Sequence, residues 1–287
     1  MKRLRKGGTP LNAALKAAGL AKSSFFYAPR SRRPRPLDPA LVRALEELCQ
    51  GREAVYGYRK MKRALLARGI VANSKKILRH TKTLRIQQPR KTRGMRWTRP
   101  RLVHPEAANL YWEADMTYVW TAEGFAYLFG IIDPFDHDLP GDVLSDRCRA
   151  AEAIQSLEAA VLARFGGRVP DGQSLILRVD RGTQYVARKF RDAAMRLGVT
   201  IEYAGIQCPE DKPYIESFFG KYKVEEVHRN DYATLAEARA AWESYRAWYR
   251  SSRFHQSLGY KTPAAFGVEQ QIQAVPANRP ESKLCTA

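Results

Sequence analysis

The alternation of apolar and polar residues predicts that the chain after residue 108 folds around a β-sheet. Residues 110–120 alternate, so that Trp112 and Met116 share an apolar face and polar side chains occupy the other face. Residues 125–132 form a continuous apolar run, which is typical of a central strand. Further strands are predicted at 139–145, 174–179 and 199–203, and helices at 150–165, 188–197 and about 213–227. This order predicts an α/β layer sandwich with mixed strand directions.

The last predicted helix begins with a capping box formed by Thr234 and Glu237. Large apolar and aromatic residues follow at helical spacing: Leu235, Ala238, Trp242, Tyr245 and Tyr249. Such a stripe serves either as a stacking platform for nucleotides or as a packing surface. We interpret it as packing.

The first third of the chain predicts short helices separated by linkers. Helices are expected at 10–18 and 22–27, on either side of Gly19, and then at 39–50, 58–68 and 74–84, with Asn73 or Ser74 as an N-cap. The predicted domains are a small helix-turn-helix-like segment (1–36), a basic helical domain (37–84), a basic linker (85–108), an α/β core with C-terminal helices (109–270) and a tail (271–287).

Charge separates the same two regions. The 287 residues carry 49 Lys and Arg against 29 Asp and Glu, a net charge of +20, yet the first 108 residues alone carry 28 against 5, a net charge of +23. This asymmetry predicts that the first third binds nucleic acid. The candidate phosphate contacts lie on its second and third long helices: Arg59, Lys60, Lys75, Lys76 and Arg79. The alternative is a helical bundle with an ordinary solvated surface.

Cysteine usage and hydropathy exclude several classes of protein. The four cysteines are far apart and none lies in a CxxC pair, so neither a disulfide framework nor structural zinc is expected. No segment approaches the roughly 20 apolar residues of a membrane span. The basic N-terminus is followed by Asn12 and Lys16, which interrupt any signal-peptide core. We expect a cytoplasmic, nucleoid-associated protein without a membrane partner.

Three carboxylates of the predicted sheet region are candidates for metal binding. Asp115 lies in the middle of the first strand, Asp180 ends the fourth, and Glu216 lies near the start of the following helix. A carboxylate in mid-strand calls for a nearby cation, because burying an unpaired charge costs several kcal/mol. Divalent ions meet this need and activate water or a 3′-hydroxyl for phosphoryl transfer. The pattern alone leaves other acids open, notably Glu113 on the same strand face and Asp133, which is either an accessory acid or a turn cap.

The residues around these carboxylates resemble the integrase catalytic core of DDE transposases, in particular the second-frame protein of two-frame bacterial insertion sequences. The resemblance rests on Trp-Glu-Ala-Asp-Met-Thr-Tyr at 112–118, Asp-Arg-Gly-Thr-Gln-Tyr at 180–185, Ile-Glu-Ser-Phe-Phe at 215–219, His-Gln-Ser-Leu-Gly-Tyr at 255–260 and Tyr-Gly-Tyr-Arg at 56–59. These motifs span nearly the whole chain.

The resemblance implies an RNase H-like mixed-sheet core preceded by small helix-turn-helix-like DNA-binding domains. It implies cleavage and strand transfer at element ends, with Asp115, Asp180 and Glu216 as the catalytic residues and as ligands of two Mg²⁺ or Mn²⁺ ions. Lys223, seven residues after Glu216, would contact terminal DNA. Arg181 is expected either to bind phosphate or to form a structural ion pair.

The expected partners are double-stranded DNA, at the element ends and the target, and further copies of the chain on that DNA. Related systems also use an upstream-frame partner protein.

Several residues depart from the family pattern, namely Asp136, His137, Arg178, Val179, Lys212, Arg250 and Phe254. None of them removes a proposed metal ligand. They nevertheless keep open an alternative function, a catalytically inactive, transposase-derived repressor or architectural DNA-binding protein. The spacing of Lys212, four residues before Glu216, also predicts an ion pair between these two side chains.

Overall fold

The computed structural model describes residues 10–27, 36–86, 104–205 and 211–274. The chain divides into two units, residues 1–39 and 40–287. In the first unit, α1 (Leu11–Ala17) and α2 (Lys22–Phe25) flank Gly19, whose φ of +61° explains why a glycine makes this turn. The two short helices expected at the N-terminus are therefore present. Residues 28–35 of the segment predicted at 1–36, and residues 87–103 of the basic linker predicted at 85–108, lie outside the described residues.

The second unit begins with three helices, α3 (Pro39–Gln50), α4 (Tyr58–Ala67) and α5 (Ser74–Thr83). Their apolar faces meet in a small core in which Leu45, Leu65 and Ile77 are completely buried. The side chain of Asn73 accepts a hydrogen bond from the Lys75 amide at 2.8 Å, so Asn73 is the N-cap of α5.

A five-stranded sheet follows, with the order β3-β2-β1-β4-β5. Its strands are β1 (Tyr111–Thr121), β2 (Gly124–Ile132), β3 (Gly141–Ser145), β4 (Leu175–Val179) and β5 (Val199–Tyr203). The first three are antiparallel neighbours, whereas β4 pairs in parallel with β1 and β5 with β4. This topology confirms the predicted RNase H-like mixed sheet.

Helices cover both faces of the sheet. On one face, α6 (Ala150–Phe165) and α8 (Arg188–Leu197) pack against apolar strand residues, and the one-turn helix α7 (Thr183–Val186) lies just before α8. On the other face lie α9 (Pro213–Glu225) and α10 (Leu235–Ser251).

The second layer of helices changes the character of strand β1. The face that carries Glu113, Asp115 and Thr117 is polar, as predicted, and it is also buried. Glu113 and Thr117 are only 1% and 5% exposed. Because α9 lies over this face, its polar groups must find partners inside the protein.

The C-terminal helices complete the second layer. Trp242, Tyr245 and Tyr249 of α10 are buried among other aromatic rings, which confirms that the stripe is a packing surface. The final helix, α11 (Pro263–Ala274), was not predicted from the sequence.

The helices α3–α5 are joined to this layer by direct contacts. Arg52 Nε lies 2.6 Å from Glu226 Oε2, and the ring of Tyr56 stacks on Trp248 of α10 with a centroid distance of 6.3 Å. Arg229 donates a hydrogen bond to the Gly51 carbonyl at 3.0 Å. We refer to these three contacts as the anchor.

Within the described part of the chain, none of the helices is both long and apolar enough to cross a membrane.

Candidate active site

Two of the predicted catalytic carboxylates meet at one edge of the sheet. Strands β1 and β4 are parallel neighbours, and Glu113 pairs with Arg178. Asp115 lies two residues beyond this pair in β1, and Asp180 is the first residue after β4. Because these parallel strands run side by side, the two side chains lie close together.

A buried lysine joins the two carboxylates. The Lys212 Nζ atom lies 3.1 Å from Asp115 Oδ1 and 3.7 Å from Asp180 Oδ2, and it donates a hydrogen bond to the Ala114 carbonyl at 3.3 Å. Lys212 is 4% exposed. An ammonium group has three hydrogens to donate, and here it faces three oxygens. The cation expected beside Asp115 is, in this structure, the Lys212 ammonium.

The surroundings of Asp115 shift the pKa of its carboxyl group in both directions. Burial raises the pKa of Asp115, whereas the Lys212 ammonium and the hydrogen bond from the Met116 amide lower it. The Asp115 side chain is 21% exposed and that of Asp180 is 44% exposed. The carboxylate pair is therefore open to solvent on the Asp180 side.

Gly182 holds Asp180 in position by close approach. Its amide donates a hydrogen bond to Asp180 Oδ1 at 2.8 Å. A Cβ atom at residue 182 would lie 2.6 Å from the Gln184 side-chain amide and 2.9 Å from Asp180 Oδ1. The φ of Gly182 is −59°, so any limit on a side chain at this residue comes from the ends of the Gln184 and Asp180 side chains and not from the backbone conformation.

Glu113 caps the helix that carries Glu216. Its Oε2 atom accepts hydrogen bonds from the amides of Tyr214 at 2.9 Å and Ile215 at 3.0 Å, in the first turn of α9. These amides have no partner within the helix. Burial raises the pKa of Glu113 to about 7. The structure thus assigns Glu113 a structural role as a helix cap.

Glu216 lies in the first turn of α9 and is partly buried. The helix packs closely over the strands because Gly130, the cross-strand partner of Asp115, has no side chain. A Cβ atom there would lie 3.3 Å from the Phe219 ring.

The donor set fits a divalent cation in its chemistry. Asp115 and Asp180 supply carboxylate oxygens, the ligands that Mg²⁺ and Mn²⁺ prefer, and they already converge on one cationic group. Across the described ranges, however, no three acidic, histidine or cysteine side chains are arranged to hold a metal ion. The structure brings Asp115 and Asp180 together but does not gather Glu216 into a three-carboxylate group with them.

Asp133 is a turn cap. Its Oδ1 atom accepts a hydrogen bond from the Phe135 amide at 2.9 Å, and its Oδ2 atom accepts from the Asn109 amide at 2.7 Å and from Trp112 Nε1 at 3.2 Å. Burial, with a smaller contribution from Asp136, raises its pKa to about 7. Of the two roles considered for Asp133, the structure supports the cap.

Two residues that depart from the family pattern, Arg178 and Lys212, are connected through Asp211, just before α9. Arg178 donates a hydrogen bond to the Asp211 carbonyl at 3.0 Å and forms an ion pair with Glu202 at 3.1 Å. Asp211 in turn accepts a hydrogen bond from the Gly205 amide at 2.9 Å. Lys212 follows directly, so Arg178 helps to fix the backbone from which the lysine reaches the carboxylates.

Two other residues that depart from the family pattern, Asp136 and Arg250, also form ion pairs. Asp136 lies 2.8 Å from Arg164, and Arg250 lies 2.6 Å from Asp138. The sequence analysis missed Arg164 and Asp138. Arg164, in the otherwise apolar last two turns of α6, was the one signal in the sequence, and its acidic partners could not be named without the fold.

The predicted DNA contacts near the carboxylates lie at the surface or close to it. Arg181 is exposed, and its guanidinium lies 5.5 Å from the centroid of the Tyr203 ring. Lys223 is half-buried in the last turn of α9. Gly220, between Glu216 and Lys223, is exposed, and nothing lies within 4 Å of the position of a Cβ atom there.

The predicted DNA contacts on α4 and α5 differ in exposure. Arg59 and Lys75 are exposed, whereas Lys76 and Arg79 are half-buried. Lys60 lies with its Nζ atom 5.0 Å from the Tyr56 ring, and burial, with the nearby Arg253, lowers its pKa to about 7. This environment disfavours a charged lysine that contacts phosphate.

Comparison with known families matches two kinds of domain to the chain. A model of the integrase core domain matches residues 105–209, a second integrase core model matches residues 197–263, and an HTH-like domain model matches residues 36–94.

Individual relatives are similar over most of their length. The chain is 28% identical over 264 residues to the insertion element IS407 uncharacterized 31.7 kDa protein of Burkholderia multivorans, covering 91% of each chain. It is 30% identical over 224 residues to the insertion element IS600 uncharacterized 31 kDa protein of Shigella sonnei, covering 74% of this chain and 80% of the relative. It is also 29% identical over 240 residues to the transposase for insertion sequence element IS629 of Shigella sonnei, covering 79% and 78%. The chain therefore belongs to the DDE transposases of bacterial insertion sequences, which carry a retroviral-integrase-like catalytic core.

Proposed function

We propose that this transposase cuts DNA at the ends of its element and joins the ends to target DNA, with Asp115, Asp180 and Glu216 as the catalytic residues. The observation that carries the proposal is the convergence of Asp115 and Asp180, from two parallel strands, on a single cationic group. Glu216 comes from the helix that packs over the same strands.

The three carboxylates would hold two Mg²⁺ or Mn²⁺ ions, which when bound activate a water or a DNA 3′-hydroxyl and stabilise the departing oxygen. Asp115 is fixed by its strand, and Asp180 by the Gly182 amide, so both are oriented before DNA arrives. Arg181 and Lys223 are suited to hold phosphates beside them. No covalent link between protein and DNA is needed, because hydrolysis and strand transfer differ only in the attacking hydroxyl group.

The basic helices supply the grip on DNA. Arg59 and Lys75 face solvent on α4 and α5, and Lys76 and Arg79 lie beside them on α5. We place double-stranded DNA on this surface, with the cut made in the domain that follows the basic linker.

Bringing two element ends together requires at least two copies of the chain, and an upstream-frame protein is a further partner. We place the protein in the bacterial cytoplasm, at the nucleoid.

The test is nicking of a DNA duplex that contains the element end, measured with and without Mg²⁺. Asp115→Asn, Asp180→Asn and Glu216→Gln should each abolish the cut, because each removes a negatively charged ligand while keeping the shape of the side chain. Asp171→Asn changes an acid that is 95% exposed, and it is the matched control that should cut normally.

Normal cutting by Glu216→Gln would exclude this helix from the catalytic group. Salt-sensitive DNA binding by the parent chain without any divalent-dependent product would instead support the inactive DNA-binding alternative.

A further inference from the structure

We propose that Lys212 is a built-in counter-cation that competes with the catalytic metal for the Asp115–Asp180 pair. Its ammonium lies between the two carboxylates, and a divalent ion would bind there only when the ammonium leaves. The inference rests on the proposed function of these carboxylates, and it concerns how the site is controlled.

The contacts of Lys212 are those of a bound cation. Its Nζ atom faces Asp115 Oδ1, Asp180 Oδ2 and the Ala114 carbonyl at 3.1, 3.7 and 3.3 Å. These are oxygens that a metal at this edge of the sheet would use, and the ammonium is nearly removed from solvent. A divalent ion held by the same carboxylates would lie within a few ångströms of a positive charge in a region of low polarity, where repulsion is strong.

The lysine is held in this place by the backbone that precedes α9. The Asp211 carbonyl is bound by Arg178, and the Asp211 side chain is bound by the Gly205 amide. Lys212 itself is the N-cap residue of α9, so its backbone belongs to the turn that opens this helix.

Movement of Lys212 would also reach Glu216. The Glu216 amide donates a hydrogen bond to the Lys212 carbonyl at 3.2 Å, so both residues belong to one turn of backbone. A change of Lys212 on metal entry would shift the turn that presents Glu216.

The experiment measures binding of Mn²⁺ alone to the full-length chain, without DNA, at constant pH and ionic strength. The free ion is followed by electron paramagnetic resonance. Lys212→Asn removes the competing charge, and we expect it to bind Mn²⁺ at least tenfold more tightly than the parent. Lys189→Asn makes the same substitution at an exposed lysine of α8 and should bind like the parent.

Two further variants locate the effect. The double variant Lys212→Asn with Asp115→Asn should bind Mn²⁺ no more tightly than the parent, because Asp115 is the proposed ligand of the additional ion. Lys212→Met keeps the length of the side chain without its charge, and it should also bind more tightly than the parent. If Lys212→Asn is too unstable for titration, the rise of its melting temperature with added Mn²⁺, compared with that of the parent, gives the same information.

An affinity of Lys212→Asn and Lys212→Met equal to or below that of the parent would overturn the inference. Such a result would leave the nicking assay, and with it the proposed function, unaffected. Conversely, a parent chain that never nicks DNA but whose Lys212 variants gain Mn²⁺ affinity would refute the proposed function and support the competition.

Discussion

Gly182 lies against the ends of the Gln184 and Asp180 side chains in the candidate active site. In Gly182→Ala, the new methyl group would overlap the Gln184 amide and the Asp180 carboxylate, and one or both side chains would shift. We expect DNA nicking to fall by about tenfold or more, since displacements near one ångström are costly in catalysis. Duplex affinity, measured by gel shift, should not change, because this glycine lies away from the basic helices. A loss of affinity equal to the loss of nicking would show that the substitution damages the fold instead.

Glu113 offers a second test at the scale of single residues. Glu113→Ala would leave the Tyr214 and Ile215 amides buried without an acceptor, at a cost of about 2 kcal/mol in the free energy of unfolding. Glu113→Gln keeps one acceptor oxygen and should cost less than about 1 kcal/mol. Urea unfolding of both variants measures the difference. If Glu113→Gln also abolished Mn²⁺ binding, the assignment of Glu113 as a purely structural cap would be wrong.

Asp115 and Asp180 could be predicted as candidates from their places in the predicted strands and from the motifs around them. The parallel pairing of β1 with β4 could not be predicted, because the pattern gives the order of strands along the chain and not their partners. The contacts of Lys212 and Glu113 could not be predicted either, because each depends on how a helix from a distant segment packs over the sheet. A period of two residues shows that two side chains share a face but not what covers that face.

Helix α9 is the element that presents both Glu216 and Lys223, and Gly220 lies between them. Gly220→Ala should stabilise the protein by about 0.5–1 kcal/mol, because glycine weakens an exposed helix and no atom obstructs the methyl group. Nicking should nevertheless fall severalfold if a DNA strand passes over this point. Gly267→Ala in α11 also places a methyl group in open space, and it should leave nicking unchanged. Melting temperature and nicking rate are the two measurements, and full activity of Gly220→Ala would place the DNA elsewhere.

Most elements were predictable from periodicity, and the exceptions have physical reasons. The bounds of α6, α8 and β5 match the prediction, since each combines a clear period with a turn residue at its end. The segment that forms α11 begins with Pro-Ala-Ala-Phe-Gly, which has no marked apolar face. The one-turn helix α7 is too short to show any period.

At the scale of the whole molecule, the separation of charge predicts how binding to DNA depends on salt. Replacing Arg59 and Lys75 by Gln removes two exposed positive charges from α4 and α5. If both contact phosphates, the slope of log affinity against log salt concentration should become less steep by roughly 1.8. The control replaces Arg188 and Lys189 on α8 by Gln, and its slope should equal that of the parent. An unchanged slope in the first variant would move the DNA away from these helices.

The residues that depart from the family pattern bear on whether the chain is a decayed copy. Arg178, Lys212 and Arg250 each have a specific acidic partner in the fold. Random decay would leave buried charges unpaired, which is costly. Each of these three unusual cations instead forms an ion pair, which is not the pattern expected of random decay.

The anchor between α3–α5 and the helices behind the sheet has a consequence for where the DNA is cut. The 3₁₀ turn between α3 and α4 is attached through Arg52 to Glu226, just after the helix that carries Glu216. A duplex gripped by α4 and α5 would therefore be presented to the carboxylates at a set spacing. The anchor would thus fix the number of base pairs between the DNA bound by α4 and α5 and the phosphodiester that is cut.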